Sequence, residues 1–94
     1  MPTVVFDQTI NRYIYTLTGN DSFNFNQGEE YNSIISVKVT GGTVALHVTG
    51  LPESPLRVIT STDKFGCKAP NFTMTLNTGV ATVFIDRKRV RYDG

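Results

Sequence analysis

The sequence predicts an all-β domain, a small antiparallel β-sandwich of immunoglobulin-like or jelly-roll-like build, with a small β-barrel as the runner-up. Three observations predict it. The chain holds thirteen Thr, ten Val and six Ile against three Ala and three Glu, so residues that fit a pleated sheet far outnumber those that favour helices. Gly, Asn, Asp and Pro recur at short intervals, leaving short segments rich in Val, Ile, Thr, Tyr and Phe between them. Finally, 94 residues make a single domain with room for one core, and a sandwich or small barrel is built from about seven short strands with a turn every ~8 to 12 residues.

Strands are expected near residues 3–6, 11–17, 22–26, 33–40, 43–49, 56–61, 72–77, 80–86 and 88–92. Tyr13, Tyr15 and Leu17 ahead of Gly19-Asn20, with Phe23 and Phe25 after it, predict a hairpin with an aromatic face. A helix competes there, because Ile10, Tyr13, Ile14 and Leu17 also fall at helical spacing and Asp7 can cap it. The β preference of Thr9, Ile10, Ile14 and Thr16 favours the strand.

Between residues 33 and 49, Gly41-Gly42 separates two alternating runs, the pattern of a two-residue hairpin turn. In that register Val39 faces Val44, Val37 faces Leu46 and Ile35 faces Val48, while Ser36, Lys38, Ala45 and His47 share the opposite, solvent face. The prolines of Leu51-Pro52-Glu53-Ser54-Pro55 make a rigid connection. Residues 62–71, carrying Asp63, Lys64, Phe65, Gly66, Cys67, Lys68 and Pro70, read as the longest loop, with Phe65 either an apolar anchor for a partner or packed back on the core.

A further hairpin is expected over residues 72–85, turning on Asn77-Thr78-Gly79. Its register stays open between a three-residue and a two-residue closure. Both faces of residues 80–85 are apolar, which predicts a central strand or one whose outer side meets another protein, with Val83 and Ile85 as contact residues. The run Asn77-Thr78-Gly79-Val80-Ala81-Thr82-Val83-Phe84-Ile85 resembles the closing hairpin of bacterial immunoglobulin-like modules found in adhesins and phage virion proteins. The resemblance covers nine residues; it implies a fold and transfers no site.

Charge narrows the function. Charged residues make up 18% of the chain and the formal net charge is +1, so no long-range field steers it to nucleic acid or an anionic membrane. The asymmetry lies at residues 86–94, where Arg87, Lys88, Arg89 and Arg91 outweigh Asp86 and Asp93. These residues are expected to form a basic C-terminal edge strand or tail. Extended, they would project Arg87, Arg89 and Arg91 to one side and Lys88, Val90 and Tyr92 to the other, a stripe able to pair with carboxylates or phosphates or to protect a sheet edge. Arg87, Arg89, Arg91, Tyr92, Phe65, Val83 and Ile85 are therefore the expected partner-binding residues.

Catalytic chemistry has little to draw on. His47 is the one histidine, and a triad with Ser36 lacks a nucleophile elbow and an oxyanion hole. Cys67 is the one cysteine, so neither an intramolecular disulfide nor a cysteine-histidine zinc site is expected. Glu29-Glu30 reads as a solvated turn rather than a calcium site, and the glycines fall at turns without a phosphate-loop spacing. No signal peptide and no membrane span is evident. The expectation is a non-enzymatic structural or interaction protein without cofactor, made in the cytoplasm of a host and assembled into a virion as a capsid-decorating, minor capsid or connector component. Its expected partners are other capsid or tail subunits and, as a homo-oligomer, itself. The alternatives are a carbohydrate-binding or adhesive module using Tyr13, Tyr15 and Tyr31 and, more weakly, a small hydrolase.

Overall fold

A computed structural model describes residues 2–26, 28, 31–51, 53 and 55–89. Among the described residues nine strands follow one another: β1 Thr3–Asp7, β2 Arg12–Thr18, β3 Ser22–Asn26, β4 Tyr31–Thr40, β5 Thr43–Val48, β6 Arg57–Ile59, β7 Thr62–Cys67, β8 Asn71–Asn77 and β9 Val80–Arg89. They form two antiparallel sheets packed face to face, sheet A in the order β1-β2-β9-β4-β7 and sheet B in the order β3-β8-β5-β6. The sandwich is thus present, and the sheets do not close into a barrel. The helical alternative at residues 10–17 gives way to β2, as the β-branched residues there favour.

The pairing is nested. β2 lies beside β9, β3 beside β8, β4 beside β7 and β5 beside β6, so a long two-stranded ribbon is wrapped over the two sheets. That is the connectivity of an eight-stranded jelly roll, to which β1 adds a fifth strand on sheet A.

This topology corrects all three expected hairpins. β2 and β3, β4 and β5, and β8 and β9 each divide between the two sheets, so Gly19-Asn20, Gly41-Gly42 and Thr78-Gly79 are arches that carry the chain across the sandwich. The apolar residues expected to pair side by side instead face one another through the core, Ile35, Val37 and Val39 from sheet A against Val44 and Leu46 from sheet B. The arches interlock at one end. The Gly19 amide donates to the Gly79 carbonyl at 3.1 Å, and Thr78, itself at φ 61°, donates its hydroxyl to the Gly41 carbonyl at 3.2 Å. A Cβ on Gly42 would strike the Thr78 carbonyl and one on Gly79 the Thr40 carbonyl, so these two positions need glycine.

Two further expectations change. Residues 62–67 form strand β7 at one edge of sheet A rather than a loop. Residues 80–89 make one continuous strand; β9 lies between β2 and β4 as far as Asp86, and Arg87, Lys88 and Arg89 run on past β2, in register with β4 on one side. The core between the sheets includes Leu17, Ile35, Val37, Ala81, Val83 and Ile85 from sheet A and Phe23, Phe25, Val44, Leu46, Ile59, Phe72, Met74 and Leu76 from sheet B. Its β2–β3 side is closed by aromatic contacts, Tyr15 stacked on Phe23 at 3.8 Å and Tyr13 edge-on to Phe25 at 5.1 Å.

Candidate interaction surface

Alternation along each strand of sheet A sends one set of side chains into the core and the other to solvent. The outward set of β9 is Thr82, Phe84 and Asp86; the inward set is Ala81, Val83 and Ile85, each at most 1% exposed. Val83 and Ile85 therefore belong to the core and are not contact residues. The apolar outer side expected of this strand exists, but Phe84 supplies it. Across the sheet Phe84 is paired with Ile14, and Ile14 with Val5, while Ile34 lies diagonal to Phe84 on β4. Val5, Ile14, Phe84 and Ile34 thus make a continuous apolar row, half-buried in the middle and open at Val5.

Beside this row Arg12 and Asp86 form an ion pair, and Lys64 stands in line with it beyond Ser36. Arg12 meets Asp86 through two contacts, Nε to Oδ1 at 2.7 Å and Nη2 to Oδ2 at 3.0 Å, and its guanidinium lies 5.3 Å from the centre of the Phe84 ring. The Asp86 hydrogen bond raises the already high Arg12 pKa. Asp7, at the near end of β1, accepts from the Thr9 hydroxyl at 2.6 Å and the Thr9 amide at 3.0 Å, which hold its carboxyl below the ordinary value. At the far end of the row, Gly66 sits opposite Ile34 on β7 and contributes no side chain. The result is a mainly apolar trough of about 290 Å³ lined by Asn32, Ser33, Ile34, Gly66 and Cys67, with Lys68 and Lys88 beside them.

The outer side of sheet B has another chemistry. Asn24, Thr73 and His47 lie in register across β3, β8 and β5. The Thr73 hydroxyl donates to Asn24 Oδ1 at 2.6 Å and is 3.1 Å from the Thr49 hydroxyl. Ser22, Asn26, Asn71 and Thr75 continue this neutral, hydrogen-bonding surface. His47 and Thr73 are each only 8% exposed.

The remaining expected contact residues are dispersed. Arg87 points to the inner side of sheet A, its guanidinium 4.0 Å from the Tyr31 ring and 6.0 Å from the Tyr13 ring, with Nη1 donating to the Tyr13 hydroxyl at 3.4 Å. It closes the end of the core beyond Ile85 and is not part of an exposed stripe. Arg89 is paired with Tyr31 in β9, while Arg91 and Tyr92 lie outside the described residues, as do Glu29 and Glu30. Phe65 packs against the core under the Arg57 guanidinium, 4.5 Å from the ring centre, and Arg57 also binds Asp63 at 2.6 Å. Packing back on the core is the arrangement Phe65 adopts.

Separation of the sheets also disposes of the Ser36–His47 pairing. Ser36 is on the outside of sheet A and His47 on the outside of sheet B, with the thickness of the core between them, about 10 Å from sheet to sheet. Burial pushes the Cys67 thiol up, which disfavours the nucleophilic thiolate. Among the described residues no three His, Cys, Asp or Glu side chains gather in a way that suits a metal.

Comparison with known proteins returns no family model that matches the chain and no curated protein that matches it.

Proposed function

We propose that this chain is a non-enzymatic structural subunit that works by docking through its β surfaces onto other protein subunits. The observation that carries this reading is the apolar row Val5, Ile14, Phe84 and Ile34 on the solvent side of sheet A, with the Arg12–Asp86 pair beside it. Half-buried aromatic and aliphatic side chains beside an Arg-carboxylate pair are the composition of an interface centre. A neutral molecule with few charges has little else to hold a partner with.

The finer proposal is a virion component, made in a host cytoplasm and decorating or connecting capsid or tail proteins. Jelly rolls serve capsid proteins, lectins and cupins, so the fold is compatible with that role by analogy alone. The space between the sheets tells against the last of the three, because it is filled by side chains such as Phe72, Met74 and Leu76, all fully buried. The sandwich interior therefore offers no cupin-like chamber.

The carbohydrate-binding alternative keeps one supporting observation, the amide and hydroxyl surface of sheet B around Asn24, Thr73 and Thr49. Its aromatic platform is weakened, since Tyr13 and Tyr15 turn into the core side of sheet A.

Retention of the purified chain on the particle or complex of its source tests the docking proposal. Phe84→Ser combined with Ile14→Thr should weaken retention at least about tenfold, equivalent to ~1.4 kcal/mol, with the fold intact by circular dichroism. Unchanged retention, or a dispersed monomer that no assembly retains, contradicts it. A glycan array positive that depends on Asn24 supports the alternative.

A further inference from the structure

Sheet A has five strands and sheet B four, and the extra strand is β1. With β2 stacked over β3 through Tyr15 and Phe23, β1 overhangs the end of sheet B. Val4 and Phe6, which share the inner side of the sheet with Tyr15 and Tyr13, consequently remain 52% and 42% exposed. Val5, on the outer side, is 62% exposed. The four sheet edges differ in how they are guarded. β7 carries Asp63 and Lys64 with Arg57 bound across to it, β6 carries Arg57, and β3 alternates its buried Phe with exposed Ser22, Asn24 and Asn26. β1 presents Val4-Val5-Phe6 without a charge, a proline or a bulge among them, and Ile10 in the following turn is also exposed. A backbone edge with apolar side chains on both faces is a template for strand addition.

We infer that the occupant of this edge is a second copy of the chain, paired β1 to β1 in antiparallel fashion about a two-fold axis at Val5. This rests on the reading of the chain as an assembly subunit and names one of its partners. The sequence of the strand is self-complementary in that register. Val5 meets Val5 of the second copy, Val4 meets Phe6, and Thr3 meets Asp7, so no like charges fall opposite one another. The outer apolar row becomes continuous from Phe84 and Ile14 through both copies of Val5. On the inner side each Phe6, already 4.5 Å from Tyr13, gains Val4 of the other copy, which fills the overhang. Addition to β7 of another copy is disfavoured, because the charged pair Arg57–Asp63 and Lys64 sit along that edge and the contact would not close.

The pairing can be read by sedimentation of the full chain over a wide concentration range, with Val5→Lys as the disrupting variant and Thr62→Lys as the same charge on the opposite edge. Val5 is exposed, so its replacement leaves the fold in place. The expected result is concentration-dependent dimerisation that Val5→Lys weakens at least about tenfold and Thr62→Lys leaves unchanged. Register is read independently by oxidation with diamide, which takes two thiols to one disulfide. Val5→Cys should link two copies, because directly opposed residues lie about 4.5–5.5 Å apart between Cα atoms, and Thr3→Cys should not. A wild-type chain that stays monomeric throughout, dimerisation indifferent to Val5→Lys, or equal linking by Thr3→Cys overturns the inference. A strand from another protein that binds β1 of a monomeric chain overturns it as well. These outcomes are separate from failure of the docking reading, which is seen as unchanged retention of the Phe84→Ser, Ile14→Thr variant.

Discussion

On the outside of sheet A, Val5, Ile14 and Phe84 lie side by side with Ile34 diagonal to Phe84; on the outside of sheet B the middle row is Asn24, Thr73 and His47. Both faces come from strands that alternate in the same way, and both back onto one shared core. The difference is one of satisfaction. Thr73 finds its partners beside it, in Asn24 and Thr49, whereas among the described residues the apolar row of sheet A is covered by the Arg12 guanidinium over Phe84. A face whose groups are already paired stabilises the fold, and a face left apolar and half open is suited to a partner.

The largest expected effect lies where the two faces are assigned. The arches decide which residues reach which sheet, and Gly79 adopts φ 80° with the Thr40 carbonyl where a Cβ would sit. Gly79→Ala should destabilise by at least about 3 kcal/mol in urea unfolding, through steric conflict added to a left-handed backbone. A variant as stable as the parent would mean that the arches do not interlock as described.

Next comes the polar face itself. Thr73→Val keeps the shape and removes the hydroxyl shared by Asn24 and Thr49, so it should cost about 1–2 kcal/mol. On sheet A, Phe84→Ser should cost a similar amount, about 1–2 kcal/mol, because the ring is partly buried, and it should also diminish binding of a hydrophobic dye to the native protein. A Thr73→Val variant as stable as the parent, or dye binding unchanged by Phe84→Ser, would break the contrast between the faces.

The smallest effect is with acid. Asp63 is held below the ordinary carboxylate range by the Arg57 guanidinium, and Asp21 by the Thr18 amide. Because the folded values are depressed, their contribution is present above the unfolded carboxylate pKa of about 3.9 and is lost as pH falls through the lower folded values. Amide resonances of Lys64 and Thr18, which donate to these carboxylates at 2.9 Å and 3.0 Å, should move in that acid window. Among the described residues the Asn24–Thr73 pair has no carboxylate hydrogen-bond partner, and its resonances should stay put; movement there first would show that the polar face is coupled to the carboxylates.

Strand content was legible because the alternation of Ile35, Val37 and Val39 against Ser36 and Lys38 depends only on the backbone period. What alternation does not specify is whether two runs joined by a short turn lie beside one another or across the core from one another. Ile35 to Val39 and Val44 to Leu46 bury the same residues either way, so Gly41-Gly42 read as a hairpin turn and proved to be an arch. The misplacement of Val83 and Ile85 has the same origin: both faces of β9 are apolar, and only the neighbouring strands show that Phe84 is the outward one. The basic segment was legible as a stretch running past its β2 neighbour, but charge did not show that Arg87 lays its guanidinium over Tyr31 and near Tyr13 at the end of the core. Strand β7 was hidden by Gly66 and by Asp63, Lys64 and Lys68, residues that suit an edge strand as well as a loop.

The central claim, that sheet A meets the partner and sheet B does not, is tested most directly by hydrogen exchange on the chain free, at a concentration where sedimentation finds it monomeric, and within the assembly that retains it. The account predicts added protection in β1 and in the outer segments of β2 and β9 around Val5, Ile14 and Phe84, with β3 and β8 unchanged. Protection that appears instead around Asn24 and Thr73, leaving Val5, Ile14 and Phe84 as in the free chain, would contradict it.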